Sequence, residues 1–142
     1  MIKNGQAMKR ILLDTHVALW SAEGQLNEAS TAIVEEAVAG RRLLLSPITA
    51  WEIALLISKK RLQLPRETAE FIRGLFASDG VVLAALTPAV AVAAAGLRDL
   101  HADPADRFLV ATAAEYDAHL MTRDKRILDY AKATKHIRCI AC

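Results

Sequence analysis

The sequence predicts an α/β protein of three layers, α/β/α, with helices on both faces of a central, mostly parallel sheet of about five strands. Three observations predict it. Short continuous apolar runs, Ile11-Leu12-Leu13, Leu43-Leu44-Leu45 and Leu120-Met121, have the length of strands buried on both faces. Segments with helical apolar spacing stand between them. Ser46-Pro47, Thr87-Pro88 and Asp103-Pro104 each place a capping side chain before a proline at the first helical position. With 142 residues the chain has the size of one domain able to bury its own core.

The elements follow in order. Residues 1–8 are polar and patternless and read as an N-terminal extension, with Met8 as an alternative start; residues 9–142 read as the single domain. A strand covers 10–14, and Val17 to Trp20 begin a short helix. Asn27 caps a helix with an apolar stripe of Ile33, Val34, Ala37 and Val38, and Gly40 stops it. A second strand covers 42–46. The helix from Pro47 to about Arg61 carries Trp51, Ile53, Leu55 and Ile57. Pro65 opens another, with Phe71, Ile72, Leu75 and Phe76. A third strand covers 81–86, and an alanine-rich helix runs from Pro88 to about Leu100. Pro104 begins a helix striped by Phe108, Leu109, Thr112, Ala113 and Tyr116. A strand at 119–122, a helix at 124–133 and a strand at 136–140 complete the series. Parallel strands joined through helices imply right-handed crossovers.

Composition narrows the function. Apolar residues make up 54%, much of the excess being alanine, which favours close helix packing. A net charge of +2 does not by itself indicate nucleic acid. Basic clusters occur at Lys9-Arg10, Arg41-Arg42, Lys59-Lys60-Arg61 and Arg123 with Lys125-Arg126. Two of them flank acidic positions discussed below, which suits a polyanion guided toward a metal. Cys139 and Cys142 form a Cys-x-x-Cys, but zinc needs more ligands and a redox pair belongs at a helix start. They read as reduced, incidental thiols. Nothing resembles a signal peptide or a membrane span, so a cytoplasmic protein with no membrane partner is expected.

Four carboxylates carry the chemistry: Asp14, Glu52, Asp106 and Asp124. Each follows a strand-like run or lies near a helix start. Singly they have ordinary explanations. Asp14 and Asp124 suit helix caps, Asp103 is the cap before Pro104, and Asp106 lies three residues beyond it, where the helix dipole favours an acid. Glu52 fits that account least, because it stands about six residues into its helix between Trp51 and Ile53. In a parallel sheet the carboxyl ends of the strands share one edge, where ligands bind. Carboxylates gathered there repel one another unless a cation lies between them, and hard divalent ions take such oxygen ligands.

The chain resembles a PIN-domain ribonuclease, specifically the VapC-type toxins of bacterial toxin–antitoxin pairs. The resemblance runs from Lys9 to Ile140. It rests on Leu12-Leu13-Asp14-Thr15-His16-Val17-Ala18-Leu19-Trp20, Ser46-Pro47-Ile48-Thr49-Ala50-Trp51-Glu52-Ile53, Asp103-Pro104-Ala105-Asp106-Arg107-Phe108-Leu109-Val110-Ala111-Thr112-Ala113 and Leu120-Met121-Thr122-Arg123-Asp124. Ala105 departs from the family pattern, where a bulky apolar residue is common. The resemblance implies a metal-dependent endoribonuclease of PIN-like fold using Mg²⁺, with Mn²⁺ able to substitute. It implies an acidic pocket of Asp14, Glu52, Asp106 and Asp124, supported by Thr122 and Asp103. Asp14 and Asp106 would be the central ligands, Glu52 a ligand or water-orienting base, and Asp124 an outer or second-metal ligand. One ion would activate water; a second, about 3.5–4 Å away, would stabilise the leaving oxygen. Arg107 is expected either to contact phosphate or to pair with a neighbouring carboxylate. His16 is expected to be peripheral, and Trp20 and Trp51 to pack in the core or an interface rather than stack on bases. The implied partners are an RNA substrate, a cognate antitoxin contacting the helices at 47–61 and 65–77, and a second copy of the chain.

Other phosphate-handling folds fit less well. A haloacid-dehalogenase-type enzyme needs a second aspartate where His16 stands. A receiver domain needs an aspartate where Leu86-Thr87-Pro88 ends its strand. A dinucleotide binder needs a glycine-rich turn where Asp14-Thr15-His16 lies. The remaining alternative is a catalytically silent RNA- or protein-binding domain on the PIN fold.

Overall fold

The computed structural model describes residues 2–3, 6–64 and 66–142. Pro65, read above as a helix opener, lies outside them, as does part of the N-terminal extension. Within that extension β1 (Ile2–Lys3) pairs antiparallel with β2 (Gln6–Ala7), a ladder the polar sequence does not announce.

The main sheet contains β3 (Arg10–Leu13), β4 (Leu43–Leu45), β5 (Val81–Leu83), β6 (Ala118–Thr122) and β7 (Arg138–Ala141). Its order is β5-β4-β3-β6-β7, and all four pairings are parallel. Around it lie α1 (Thr15–Ala22), α2 (Glu28–Ala39), α3 (Pro47–Ser58), α4 (Thr68–Ala77), α5 (Pro88–Gly96), α6 (Pro104–Glu115) and α7 (Lys125–Thr134).

Strand alternation splits the core in two. Leu12, Leu44 and Leu120 face one side, where they meet Leu109, Val110 and Ala113 of α6 and Ile127 and Tyr130 of α7. Ile11, Leu13, Leu43, Leu45 and Met121 face the other, against Val17 and Ala18 of α1 and Val34 and Ala37 of α2. This is the expected three-layer arrangement. Cys139 packs with the first set and Cys142 with the second, so the two thiols lie on opposite faces of the sheet and remain free. Burial pushes the Cys139 thiol up to about 11, which keeps it protonated at neutral pH.

The helix caps follow the sequence. Ser46 Oγ accepts from the Ile48 N–H, Asn27 Oδ1 from the Ser30 N–H and Thr87 Oγ1 from the Val90 N–H. Several boundaries differ from expectation: α3 ends at Ser58 rather than near Arg61, β7 covers 138–141 rather than 136–140, and three others have a visible cause. Helix α4 begins at Thr68, because the Glu67 carboxylate caps it by accepting from the Ala69 and Glu70 N–H groups. Strand β5 stops at Leu83, since its neighbour β4 offers only Leu43–Leu45 for pairing. Helix α5 stops at Gly96 rather than near Leu100, and Leu97 turns to extended backbone.

The topology also fixes where a ligand can enter. From β3 the chain moves outward through β4 and β5 on one side, then returns to build β6 and β7 on the other. The connections therefore diverge at the carboxyl ends of the adjacent strands β3 and β6, leaving a crevice between them.

Candidate active site

Asp14 follows β3 and caps α1. Its Oδ1 accepts from the Thr15 N–H at 2.7 Å, and its Oδ2 accepts from Thr122 Oγ1, at the end of β6, at 2.6 Å. The two strands of the crevice thus hold one carboxylate between them. Asp14 is only 8% exposed, and burial pushes its carboxyl above the usual range against the opposing effect of those hydrogen bonds. Thr122 Oγ1 also accepts from the Asp124 N–H at 3.0 Å, tying this unit to the start of α7.

Glu52 is carried inward by α3. Thr15 Oγ1 donates to its Oε1 and lies 3.3 Å from Thr49 Oγ1. Burial first, then the nearby Asp14, Asp106 and Asp103 charges, push its carboxyl up to about 7, although the Thr15 hydrogen bond works the other way. Asp106 lies in the first turn of α6, which Asp103 caps by accepting from the Ala105 N–H at 3.0 Å. Asp106 Oδ2 shares a 2.6 Å hydrogen bond with His101 Nε2. Burial again holds its carboxyl above the usual range, opposed by His101 and reinforced by Asp103, Asp14 and Asp124. Asp124 caps α7, accepting from the Arg126 N–H at 2.8 Å, and its Oδ2 lies 3.3 Å from Arg126 Nη2. Burial acts to raise its carboxyl, but the hydrogen bonds and charge of Arg126 outweigh that and hold it below the usual value.

These side chains meet in one cleft of about 430 Å³, lined by Asp14, His16, Trp20, Glu52, Asp103, Asp106, Arg123, Asp124 and Arg126. All four expected carboxylates face it, with Asp103 beside them and Thr122 beneath. Three of the carboxyls are shifted upward by burial and crowding, the electrostatic condition that a cation in the cleft would relieve. The oxygen-rich donor set fits a hard divalent ion. Among the described residues, the ligand atoms of His101, Asp106 and Asp124 lie within 4.8 Å of one another. Asp14 and Glu52 stand outside that trio, their oxygens engaged by Thr15 and Thr122.

The other expected residues divide between the cleft and the rest of the fold. Arg107 faces away from the cleft. Its Nε donates to the Ala94 carbonyl, Nη1 to those of Leu100 and His101, and Nη2 to those of Ala95 and Leu97. This corrects both alternatives raised for it: it meets neither a carboxylate nor the cleft, and instead binds the main chain at the end of α5. Lys9-Arg10 stands at the opposite end of β3 from Asp14, with Lys9 paired to Asp117, so of the basic clusters it is Arg123 and Arg126 that line the cleft. Trp51 is 50% exposed, which removes it from the core. Trp20, expected in the core or an interface, and His16, expected at the periphery, both line the cleft, with Trp20 beneath Arg123 and the two rings 5.8 Å apart. His101, Thr15 and Thr49 were not among the expected site residues, and Arg126 was expected only as part of a basic cluster beside Asp124. His101 had a signal, its place two residues before the Asp103 cap, but nothing local shows that its ring turns back onto α6.

A sequence profile of the PIN domain matches residues 11–133. The chain belongs to the PIN-domain family. The curated relative Ribonuclease VapC22 of Mycobacterium tuberculosis is 37% identical over 123 residues, covering 84% of this chain and 91% of the relative. Several solved structures share this chain's fold. The VapBC2 complex of Rickettsia felis, bound to a DNA fragment from its promoter, superposes with a TM-score of 0.68 at 14% identity, covering 92% of this chain and 97% of that one. The DNA-bound VapBC of Salmonella typhimurium gives 0.67 at 16% identity, covering 94% and 98%. No helix among the described residues of this PIN domain is long and apolar enough to cross a membrane.

Proposed function

We propose that this PIN domain is a metal-dependent endoribonuclease toxin, hydrolysing RNA phosphodiester bonds and neutralised by a cognate antitoxin. The observation that carries the reading is the convergence of Asp14, Glu52, Asp106 and Asp124 on one cleft at the divergence of β3 and β6. The identity to a curated VapC ribonuclease supports it.

A bound Mg²⁺ or Mn²⁺ would supply an activated water and relief of negative charge at the phosphate. Asp14 and Asp106 are the central ligands in this reading, with Asp124 at the outer side. Thr122 and Thr15 fix the oxygens of Asp14, as supporting hydrogen bonds commonly do around metal ligands. Glu52, titrating near neutrality, accepts the proton of the attacking water at the oxygen that Thr15 does not hold. Arg123 and Arg126 attract the RNA phosphates to the acidic floor. The antitoxin is expected on α3 and α4; α4 also borders, through Phe71 and Leu75, a cleft of about 410 Å³ whose other wall includes Val34 and Val38 of α2.

The test is incubation of the purified, antitoxin-free protein with total cellular RNA, with Mg²⁺ or Mn²⁺ and with EDTA, beside Asp14→Asn, with fragment ends mapped by sequencing. Discrete metal-dependent cuts absent from the mutant are expected. Folded protein that cuts nothing would favour the silent binding domain.

A further inference from the structure

Arg123, just before Asp124, and Arg126, two residues after it, are sent by the fold to different places. Arg123 is spoken for: its guanidinium carbon lies 4.1 Å from the centre of the Trp20 ring, and its Nε donates to the Cys142 carbonyl at 3.1 Å. Arg126, in the first turn of α7, turns inward. Its Nη2 lies 3.3 Å from Asp124 Oδ2 and 3.9 Å from Asp106 Oδ2. It therefore bridges carboxylates from two elements, α6 and α7, whose ligand atoms converge with that of His101. Each of these contacts falls on an oxygen that a metal ion would also seek. The side chain of Arg126 is 62% exposed, so the pairing is solvent-screened and readily broken.

We infer that Arg126 is the resident counter-ion of the acidic cleft: it competes with a divalent cation for Asp106 and Asp124, and on displacement it turns to an RNA phosphate. The second half rests on the ribonuclease reading; the first does not. A guanidinium is a fitting occupant, because its planar fork suits carboxylate and phosphate alike. One side chain can therefore offset the charge of Asp106 and Asp124 without a metal and contact substrate when one is bound.

Calorimetric titration of Mn²⁺ into the wild type, Arg126→Ala, Arg126→Lys and Arg123→Ala tests it without reference to RNA cleavage. Arg126→Ala is expected to bind Mn²⁺ about three- to fivefold more tightly, the range a screened ion pair supports. Arg126→Lys should stay near the wild type. Arg123→Ala removes the same charge from the same cleft wall and should change the affinity by less than half as much. Unchanged or weaker Mn²⁺ binding by Arg126→Ala would overturn the inference, as would equal tightening by Arg123→Ala or no Mn²⁺ binding by any of the four proteins. Tighter binding by Arg126→Ala in a protein that cuts no RNA would uphold the counter-ion and reject the ribonuclease. RNA cleavage with unchanged Mn²⁺ affinity would do the reverse.

Discussion

Asp14 is held at both oxygens, by the Thr15 N–H and by Thr122, in a setting that penalises its charge. Asp14→Asn keeps the side chain's size and discards that charge. Cleavage should fall by about 100-fold or more, the order expected when one positioned catalytic group is lost, while the melting temperature in EDTA should hold or rise. Glu52 gives the pH dependence. Its carboxyl titrates near 7 in the folded protein against an ordinary value of 4.5, so the folded state binds the proton more tightly than the unfolded chain. The sign follows: stability from this group is present below about pH 4.5 and is lost as pH rises through about 7. Urea unfolding in EDTA, run from pH 5 to 8 on wild type and Glu52→Gln, should show the wild type losing stability relative to the mutant as pH rises; parallel curves would reject this. Asp14, Asp106 and Asp124 were legible because each stands beside a strand end or cap, and parallel topology gathers such points on one edge; Glu52, deeper in α3, was legible from its place between Trp51 and Ile53. The partners that hold them were not. Thr15, His101 and Arg126 act through side-chain direction, which spacing leaves open. Arg107 misled for a related reason: consecutive helical residues point about 100° apart, so adjacency to a cleft-facing Asp106 sends it elsewhere.

At the scale of elements, Arg107 explains why α5 is short. A helix leaves its last carbonyls without partners, and the guanidinium collects those of Ala94, Ala95 and Leu97 along with Leu100 and His101 from the following loop. It thereby shapes the segment that delivers His101 to Asp106. Arg107→Ala should cost about 2–3 kcal/mol in denaturant unfolding, since several carbonyls lose a charged donor. It should also impair Mn²⁺ binding through the displaced loop, which a residue with a purely local role would not do. Gly80 is the second control point. It enters β5 at φ +84°, and a Cβ there would lie 2.3 Å from the Val38 carbonyl oxygen. Gly80→Ala should destabilise by about 2 kcal/mol or more, from the backbone conformation and the clash together, with unfolding midpoints as the measure. Most elements could be read from caps and apolar runs because both signals are local. The ends of α5 and β5 could not, being set by Arg107 from α6 and by the length of the neighbouring strand β4.

Across the whole molecule, a parallel sheet separates charge by strand direction. Arg10 and Arg138 begin β3 and β7, and Arg42 precedes β4, while Asp14 and Asp124 follow the carboxyl ends of β3 and β6. The acidic cleft and most of the sheet's basic residues thus occupy opposite edges, and Arg123 and Arg126 are the exceptions placed at the cleft itself. The same architecture bears on assembly. The alanine-rich α5 uses Val90 and Ala94 to pack on Ala111 of α6 within the chain. Its outward Val92 is 74% exposed, and on the edge strand β5 Leu83 is 56% and Val82 37% exposed. Apolar side chains on a free sheet edge are an association surface. A homodimer is therefore predicted at micromolar concentration in sedimentation velocity. Leu83→Lys, which puts a charge on that edge without touching the cleft, should shift the population toward monomer while leaving Mn²⁺ affinity unchanged. A wild-type monomer would reject the dimer, and a Leu83→Lys protein that remains fully dimeric would move the interface away from β5.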